Sequence, residues 1–301
     1  MNLLEALEVF VHVADLGSFT RAANNLGLPK ASASTAVQQL ENTLGTQLLY
    51  RTTRKVELTQ DGRACYERAR DLLADTEELQ SLFQQSPQAL RGRLRVDLPT
   101  RLARHVLLPG LPDFLARHPA LELELSCSDR RVDLVREGFD CVLRVGTLNE
   151  SSLIARPLGR LRVGNYASAD YLRQYGTPLT PADLDNHRLI HYTQEFGGKP
   201  FGWEYPDGKG YATRPMAGVL TVNNTDAYET ACLAGLGLIQ APAAGLQEHL
   251  ARGTLVEVLP GYPAEPMPVA LVYAQRRNLP RRVRSFMDWV AETLAPALLP
   301  L

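Results

Sequence analysis

Ser18-Phe19-Thr20-Arg21-Ala22-Ala23-Asn24-Asn25-Leu26-Gly27 runs, after Leu28-Pro29, into Lys30-Ala31-Ser32-Ala33-Ser34-Thr35-Ala36-Val37-Gln38-Gln39-Leu40-Glu41-Asn42-Thr43-Leu44-Gly45, and the two segments predict two helices joined by a tight turn. Ser18 is placed to N-cap the first, which turns Ala22, Ala23 and Leu26 inward, leaves Arg21 wet and stops at Gly27. Upstream, Leu3, Leu7, Phe10, Val11 and Ala14 recur at helical offsets, an amphipathic stripe closed by Gly17. The helix after Pro29 is expected to bury Ala33, Val37, Leu40 and Leu44 and to show Lys30, Ser32, Ser34, Thr35 and Gln38. Short donors and acceptors on one helix face are the kind that read base edges in a major groove. The same face also suits a small solvated bundle.

The next segment favours the first reading. Leu48-Leu49-Tyr50-Arg51-Thr52-Thr53-Arg54-Lys55-Val56-Glu57-Leu58-Thr59 alternates as a short hairpin does, and its turn is basic. As a wing it would bring Arg51, Thr53, Arg54 and Lys55 to phosphates or a minor groove, in contacts that weaken with salt. Three runs, Phe19-x-x-Ala22-Ala23-x-x-Leu26, Leu40-Glu41-x-x-Leu44-Gly45 and Leu49-x-Arg51-x-x-Arg54-x-x-x-Leu58-Thr59-x-x-Gly62, resemble the winged helix-turn-helix of the LysR-type transcriptional regulators. The later chain is similar to that family in pattern. The resemblance implies a double-stranded DNA operator as partner and base reading by Lys30, Ala31, Ser34 and Thr35, with Ser18, Arg21, Ser32 and Gln38 beside them. Many members carry Gln-Pro where this chain has Lys30-Ala31, and Arg where it has Thr35, so the operator sequence does not carry over.

Composition alone would not suggest DNA. The 301 residues carry a net charge of -1 with a pI near 6.6. In the N-terminal domain Arg21, Lys30, Arg51, Arg54, Lys55 and Arg63 are offset by Glu5, Glu8, Asp15, Glu41, Glu57 and Asp61, so positive charge is local. The length suits two or three compact units, with 45% apolar residues to fill them. The sequence shows no bilayer-length apolar run and no signal-peptide pattern, which predicts a cytoplasmic protein. Cys65, Cys127, Cys141 and Cys232 form no C-x-x-C pair and sit among apolar residues, as reduced core thiols do; the other reading is a redox-sensing regulator through Cys127 and Cys141. Phosphate-loop, zinc-helix and nucleophile-elbow motifs do not occur and the histidines are scattered, so neither catalysis, nor a metal, nor a cofactor is expected.

From Thr59 a long helix is predicted in which Cys65, Ala69, Leu72, Thr76, Leu79 and Phe83 step as a heptad seam. It reads either as a helix packed on its own domain or, by the resemblance, as a linker helix pairing two subunits of a homodimer or homotetramer. Pro87 ends it. The expected domains are 1–58 (winged head), 59–86 (linker helix), 87–92 (hinge) and 93–301 (effector domain), the last split into lobe one, 93–162 with 266–301, and lobe two, 163–265.

Beyond the hinge the pattern predicts strands at 94–98, 121–125 and 141–145 with helices at 100–117 and 131–137, then strands at 189–192, 219–222 and 238–241 with a helix at 226–233. A strand at 268–273 and a helix at 281–294 return to the first lobe. Such βαβ repetition calls for parallel sheets, and the two α/β lobes resemble a type II periplasmic-binding fold. The whole is expected to be an α-helical winged helix-turn-helix head with a long linker helix, followed by two α/β lobes.

Ligands of open α/β sheets lie at the carboxyl ends of the strands. Thr100, Arg101, Ser128, Arg144, Ser168, His191, Asn223, Asn224, Thr225 and Pro242 fall there and are the candidate effector contacts. Thr100 and Asn223-Asn224-Thr225 open helices and could hold an anion, which with Arg101 and Arg144 points to a small polar effector of carboxylate type. Each has a second reading: Thr100 and Thr225 as caps, Arg144 as the partner of an acid, His191 as a packing residue. The function this predicts is a sequence-specific regulator, working with RNA polymerase, whose dimer geometry an effector shifts. A small-molecule binding protein without a transcriptional role is the alternative.

Overall fold

The computed structural model describes residues 2–51, 56–81, 90–148, 153–194, 196–198, 201–274 and 279–300. They form two compact units, Met1–Arg93 with Pro119–Glu122, and Leu94–His118 with Leu123–Leu301.

In the first unit α1 (Leu3–Leu16), α2 (Phe19–Asn25) and α3 (Lys30–Leu44) precede a hairpin of β1 (Leu49–Arg51) and β2 (Val56–Leu58), and α4 (Gln60–Ser81) follows. Local chemistry sets the ends. Asn2 and Glu5 form a capping box on α1, Gly17 closes it at φ 58°, and Ser18 Oγ accepts the Arg21 amide at 3.3 Å to start α2. The core joins Leu7, Val9, Phe10 and Val13 of α1 to Ala22 and Ala23, to Ala33, Ala36, Val37 and Leu40, and to Leu48 and Leu49. Two expected core residues differ: Leu3 is 53% and Leu44 47% exposed. Each lies in the terminal turn of its helix, past the reach of the crossing neighbours.

The three sequence runs acquire structural reasons here. Glu41 Oε1 accepts the amides of Leu48 (2.9 Å) and Leu49 (3.2 Å), so α3 fixes where the wing begins. Thr59 donates its hydroxyl to the Gln47 carbonyl at 2.7 Å and accepts the Gly62 amide at 2.8 Å, which starts α4 against the same loop. A Cβ on Gly62 would stand 1.9 Å from the Leu48 carbonyl oxygen. Gly62→Ala is accordingly expected to destabilise the head by about 3 kcal/mol, the upper end of overpacking costs. Hydrogen exchange on the full chain checks it: the amides of α1 and α3 should lose protection while the second unit's strands keep theirs.

The second unit contains β3 (Arg91–Leu98, which begins in the first unit), α5 (Thr100–Leu102), α6 (Leu111–Arg117), β4 (Ala120–Cys127), α7 (Leu134–Glu137), β5 (Cys141–Val145), β6 (Leu153–Ser168), α8 (Ala169–Tyr175), β7 (His191–Tyr192), β8 (Trp203–Pro206), β9 (Tyr211–Arg214), β10 (Thr221–Val222), α9 (Thr225–Leu233), β11 (Ile239–Pro242), α10 (Gln247–Ala251), β12 (Leu255–Glu257), β13 (Ala264–Ala274) and α11 (Arg281–Leu294). A sheet of order β11-β6-β13-β5-β3-β4, with β12 also on β6, runs through both lobes.

The expectation of purely parallel sheets is corrected. β3 and β5 are parallel, as are β7 and β10, but β13 is antiparallel to both β5 and β6, and β11 and β12 are antiparallel to β6. The 16-residue β6 was not expected as a strand and runs from one lobe into the other. Its register with β13 shifts between Ala264 and Met267 and again between Val269 and Ala270. Pro266 and Pro268, which lack amide donors, sit at or beside these shifts. The single helix expected at 100–117 is broken into α5, a π-turn at Ala103–Leu107, a 3-10 turn at Leu108–Gly110 and α6. Pro109 and Pro112 remove the donors a continuous helix needs. Arg91 and Gly92, expected in the hinge, belong to β3, whereas 87–89 lie outside the described residues. The helix expected at 131–137 is only α7, N-capped by Asp133 through the Arg136 amide. α11 matches its expected span and seats Val283, Phe286, Met287, Val290 and Leu294 inward.

Candidate functional site

The outer face of α3 is exposed. Lys30, Ala31, Thr35 and Gln38 are exposed, as is Arg21 on α2, whereas Ser32 and Ser34 are half-buried. No side chain caps α3 at Pro29, so its N-terminus presents backbone amides beside the Lys30 ammonium. Thr35 donates its hydroxyl to the Ala31 carbonyl at 2.9 Å, and the Ser18 hydroxyl is engaged as the cap of α2. The wing hairpin forms with Leu49 opposite Leu58 and Arg51 opposite Val56. Its expected contacts Thr53, Arg54 and Lys55 lie outside the described residues, as does the Arg51 side chain.

Along α4 the seam residues part company. Ala69 is 2% exposed and joins the head's core, with Cys65 packed against it. Thr76 is half-buried and donates to the Leu72 carbonyl at 2.9 Å. Leu72 and Leu79 stand 44% and 59% exposed. Phe83 lies outside the described residues.

In the second unit a cavity of about 840 Å³ opens between the lobes. Arg101, Ser128, Arg144, Thr225 and Pro242 line it; Thr100, Ser168, His191, Asn223 and Asn224 do not. The structure gives four of those five other work. Asn224 caps α9 by accepting the amides of Asp226 and Ala227, at 2.9 and 3.1 Å, and Ser168 caps α8 through the Tyr171 amide at 3.2 Å. His191 is 7% exposed, and its ring comes so close to Gly218 that a Cβ there would lie 2.7 Å from Nε2. The Thr100 amide donates to Asp129 at 3.0 Å, and Asn223 is exposed.

Lining residues that the sequence reading did not single out include Asp129, Arg130, Arg131, Tyr192, Glu204, Tyr228 and Gln240. Gln240 carried a signal, being a lone amide in the apolar run 238–241. Its Oε1 accepts the Glu204 amide, and its Nε2 donates to the Glu204 carbonyl and to Asn165, each at 2.8 Å. Charges at the cavity come in pairs. Arg101 Nη1 stands 2.6 Å from Glu229 while its Nη2 donates to the Thr225 carbonyl, and Arg130 pairs with Glu137. Arg144 meets Asp97 at 3.0 Å, and Asp97, wholly buried, also accepts from Ser126 and Ser128. Burial raises the phenols of Tyr192 and Tyr228, which stay neutral, and raises the Glu204 carboxyl.

Cys127 departs from the expectation of a core thiol, being exposed at the end of β4, while Cys141 and Cys232 are buried. Burial, with Asp97 and Asp129 behind it, pushes the Cys127 thiol up, and burial raises Cys141. A redox sensor needs an accessible thiolate, and the buried Cys141 does not offer one.

Residues 4–63 match the family profile "Bacterial regulatory helix-turn-helix protein, lysR family", and residues 87–295 match "LysR substrate binding domain". The uncharacterized HTH-type transcriptional regulator YhjC of Escherichia coli (strain K12) is 50% identical over 291 residues, 97% of each chain. The HTH-type transcriptional repressor PA14_22550 of Pseudomonas aeruginosa (strain UCBPP-PA14) is 40% identical over 98% of this chain and 93% of its own. Among solved structures, CrgA from Neisseria meningitidis, a LysR-type transcriptional regulator, aligns with a TM-score of 0.62 at 30% identity, over 98% of this chain and 99% of its own.

Proposed function

The chain belongs to the LysR family of transcriptional regulators, and from that premise we propose how its own residues divide the work. The winged head spans 1–58, the linker helix 59–86 and the effector domain 93–301. α3 enters the major groove with Lys30, Ala31, Thr35 and Gln38 toward the bases, and Arg21 with the basic wing turn, Arg51 to Lys55, holds phosphates. A small molecule binds between the lobes of the second unit, and its binding alters the arrangement of a homodimer or homotetramer on the operator and so its contact with RNA polymerase.

One observation carries the effector reading: the cavity is walled by both lobes, with Arg101, Ser128 and Arg144 on one side and Thr225, Gln240 and Pro242 on the other. Among the described residues no helix is long and apolar enough to cross a membrane. The proposal is tested by footprinting the operator with and without a molecule shown to bind the second unit; an identical footprint would overturn the switch. For the head, Arg21→Ala is expected to weaken binding across operator sequences and to lower the slope of log affinity on log salt by about one. An unchanged salt slope would remove Arg21 from the phosphate contacts.

A further inference from the structure

An anion entering between the lobes would find two helix-start amides already engaged. The amide of Thr100 opens the helical segment after β3, and the amide of Thr225 opens α9. Both donate to the Asp129 carboxylate, at 3.0 and 2.6 Å, and the Thr225 hydroxyl adds a bond at 2.8 Å. Helix starts that converge on one point favour negative charge, and here the chain supplies that charge from its own loop. Arg101 and Arg130 are paired with Glu229 and Glu137. Arg131 is exposed and donates from Nε to Gln194. Glu204 and Glu265 add two more carboxylates to the wall. A ligand carboxylate at this point would lose its hydration and compete with Asp129 for the same two amides.

Among the described residues that line the cavity, one buried side-chain nitrogen has neither a hydrogen bond nor an ion pair. Arg144 Nη1 bonds Asp97 at 3.0 Å, while Nη2 is buried without a hydrogen-bond partner. With Asp97 neutralising its charge, Nη2 is a directional donor more than a free cation. Val142, Val145, Leu161 and Val163 add an apolar stretch of wall on the sheet.

We propose that the effector of this protein is an uncharged, largely apolar small molecule whose hydrogen-bond acceptor, a carbonyl or ether oxygen, meets Nη2 of Arg144, because Asp129 already fills the anion position between the lobes. This rests on the cleft reading above and departs from the carboxylate class that the sequence suggests.

The test uses the full chain in titration calorimetry with a matched pair, 1-naphthamide and 1-naphthoate, which share one apolar body and differ in charge. The amide should bind the wild type on the order of tenfold more tightly than the carboxylate, the worth of about one hydrogen bond. Arg144→Lys keeps a cation beside Asp97 but withdraws the second nitrogen, and should weaken the amide by a similar factor. Asp129→Ala empties the anion position and should reverse the preference; Asp129→Asn reports the same direction should the alanine variant not fold. A wild type that prefers the carboxylate, or takes neither molecule, overturns the proposal. Ala155→Trp separates this failure from that of the cleft reading, since Ala155 lines the cavity from an exposed position. Carboxylate preference abolished by Ala155→Trp overturns the charge rule and leaves the cleft standing. Binding indifferent to both Ala155→Trp and Arg144→Lys overturns both.

Discussion

Replacing Arg101 by alanine is expected to destabilise the second unit by about 3–5 kcal/mol, the cost of stranding one member of a buried ion pair. Arg101 is 5% exposed, and the Glu229 side chain it meets at 2.6 Å is 12% exposed. Its other nitrogen donates to the Thr225 carbonyl at 3.0 Å, so one guanidinium ties the segment after β3 to the first turn of α9. Removing it leaves Glu229 with His249, whose Nε2 lies 3.1 Å away and is charged only when protonated. Most of the expected loss is therefore the penalty of an uncompensated carboxylate, not the net worth of the pair. The double variant Arg101→Met, Glu229→Gln should recover more than half of it, because neither charge then stays buried alone. Urea unfolding of the full chain followed by circular dichroism measures both. A double variant no more stable than Arg101→Ala would show that packing of the arginine stem, not charge, carries the effect.

How much of this was legible in sequence depended on the range of the interaction. Gly17, Ser18 and α11 were readable because capping and helical periodicity act within a few residues. β6 was not, because its 153–168 run carries Arg156, Arg160 and Arg162 at outward positions and looks polar until β13 and β11 cover its two edges. Nor were the roles of Glu41 and Gly62, whose partners lie across a loop at Leu48. The cleft shows the same limit. Arg144 was recognised at a strand end with two readings open, and the fold combines them: it pairs with Asp97 and keeps one nitrogen over. Asp129 carried no local signal, since its role exists only where two helix starts 125 residues apart converge on it.

The seam on α4 leads to the largest functional effect. Of its heptad positions, Ala69 is enclosed in the head's core and Cys65 is packed beside it, so a partner helix has Leu72 and Leu79 to bury, seven residues apart on one face. Full burial of each leucine contributes about 1.5–3 kcal/mol, and a symmetric pairing counts each twice. A double Leu72→Asp, Leu79→Asp variant would place like charges in the seam and should be monomeric at micromolar concentration by sedimentation equilibrium. The DNA consequence is larger than any single contact in the head. When two heads are joined, the second binds at the effective concentration its linker sets, which is worth about 10²–10⁴ in affinity. Operator binding should fall by that factor in band-shift titrations, while binding to a single half-site stays as in the wild type, because α3 is untouched. A variant that remains dimeric and keeps its operator affinity would move the subunit contact off α4 and leave the two leucines without a role in assembly.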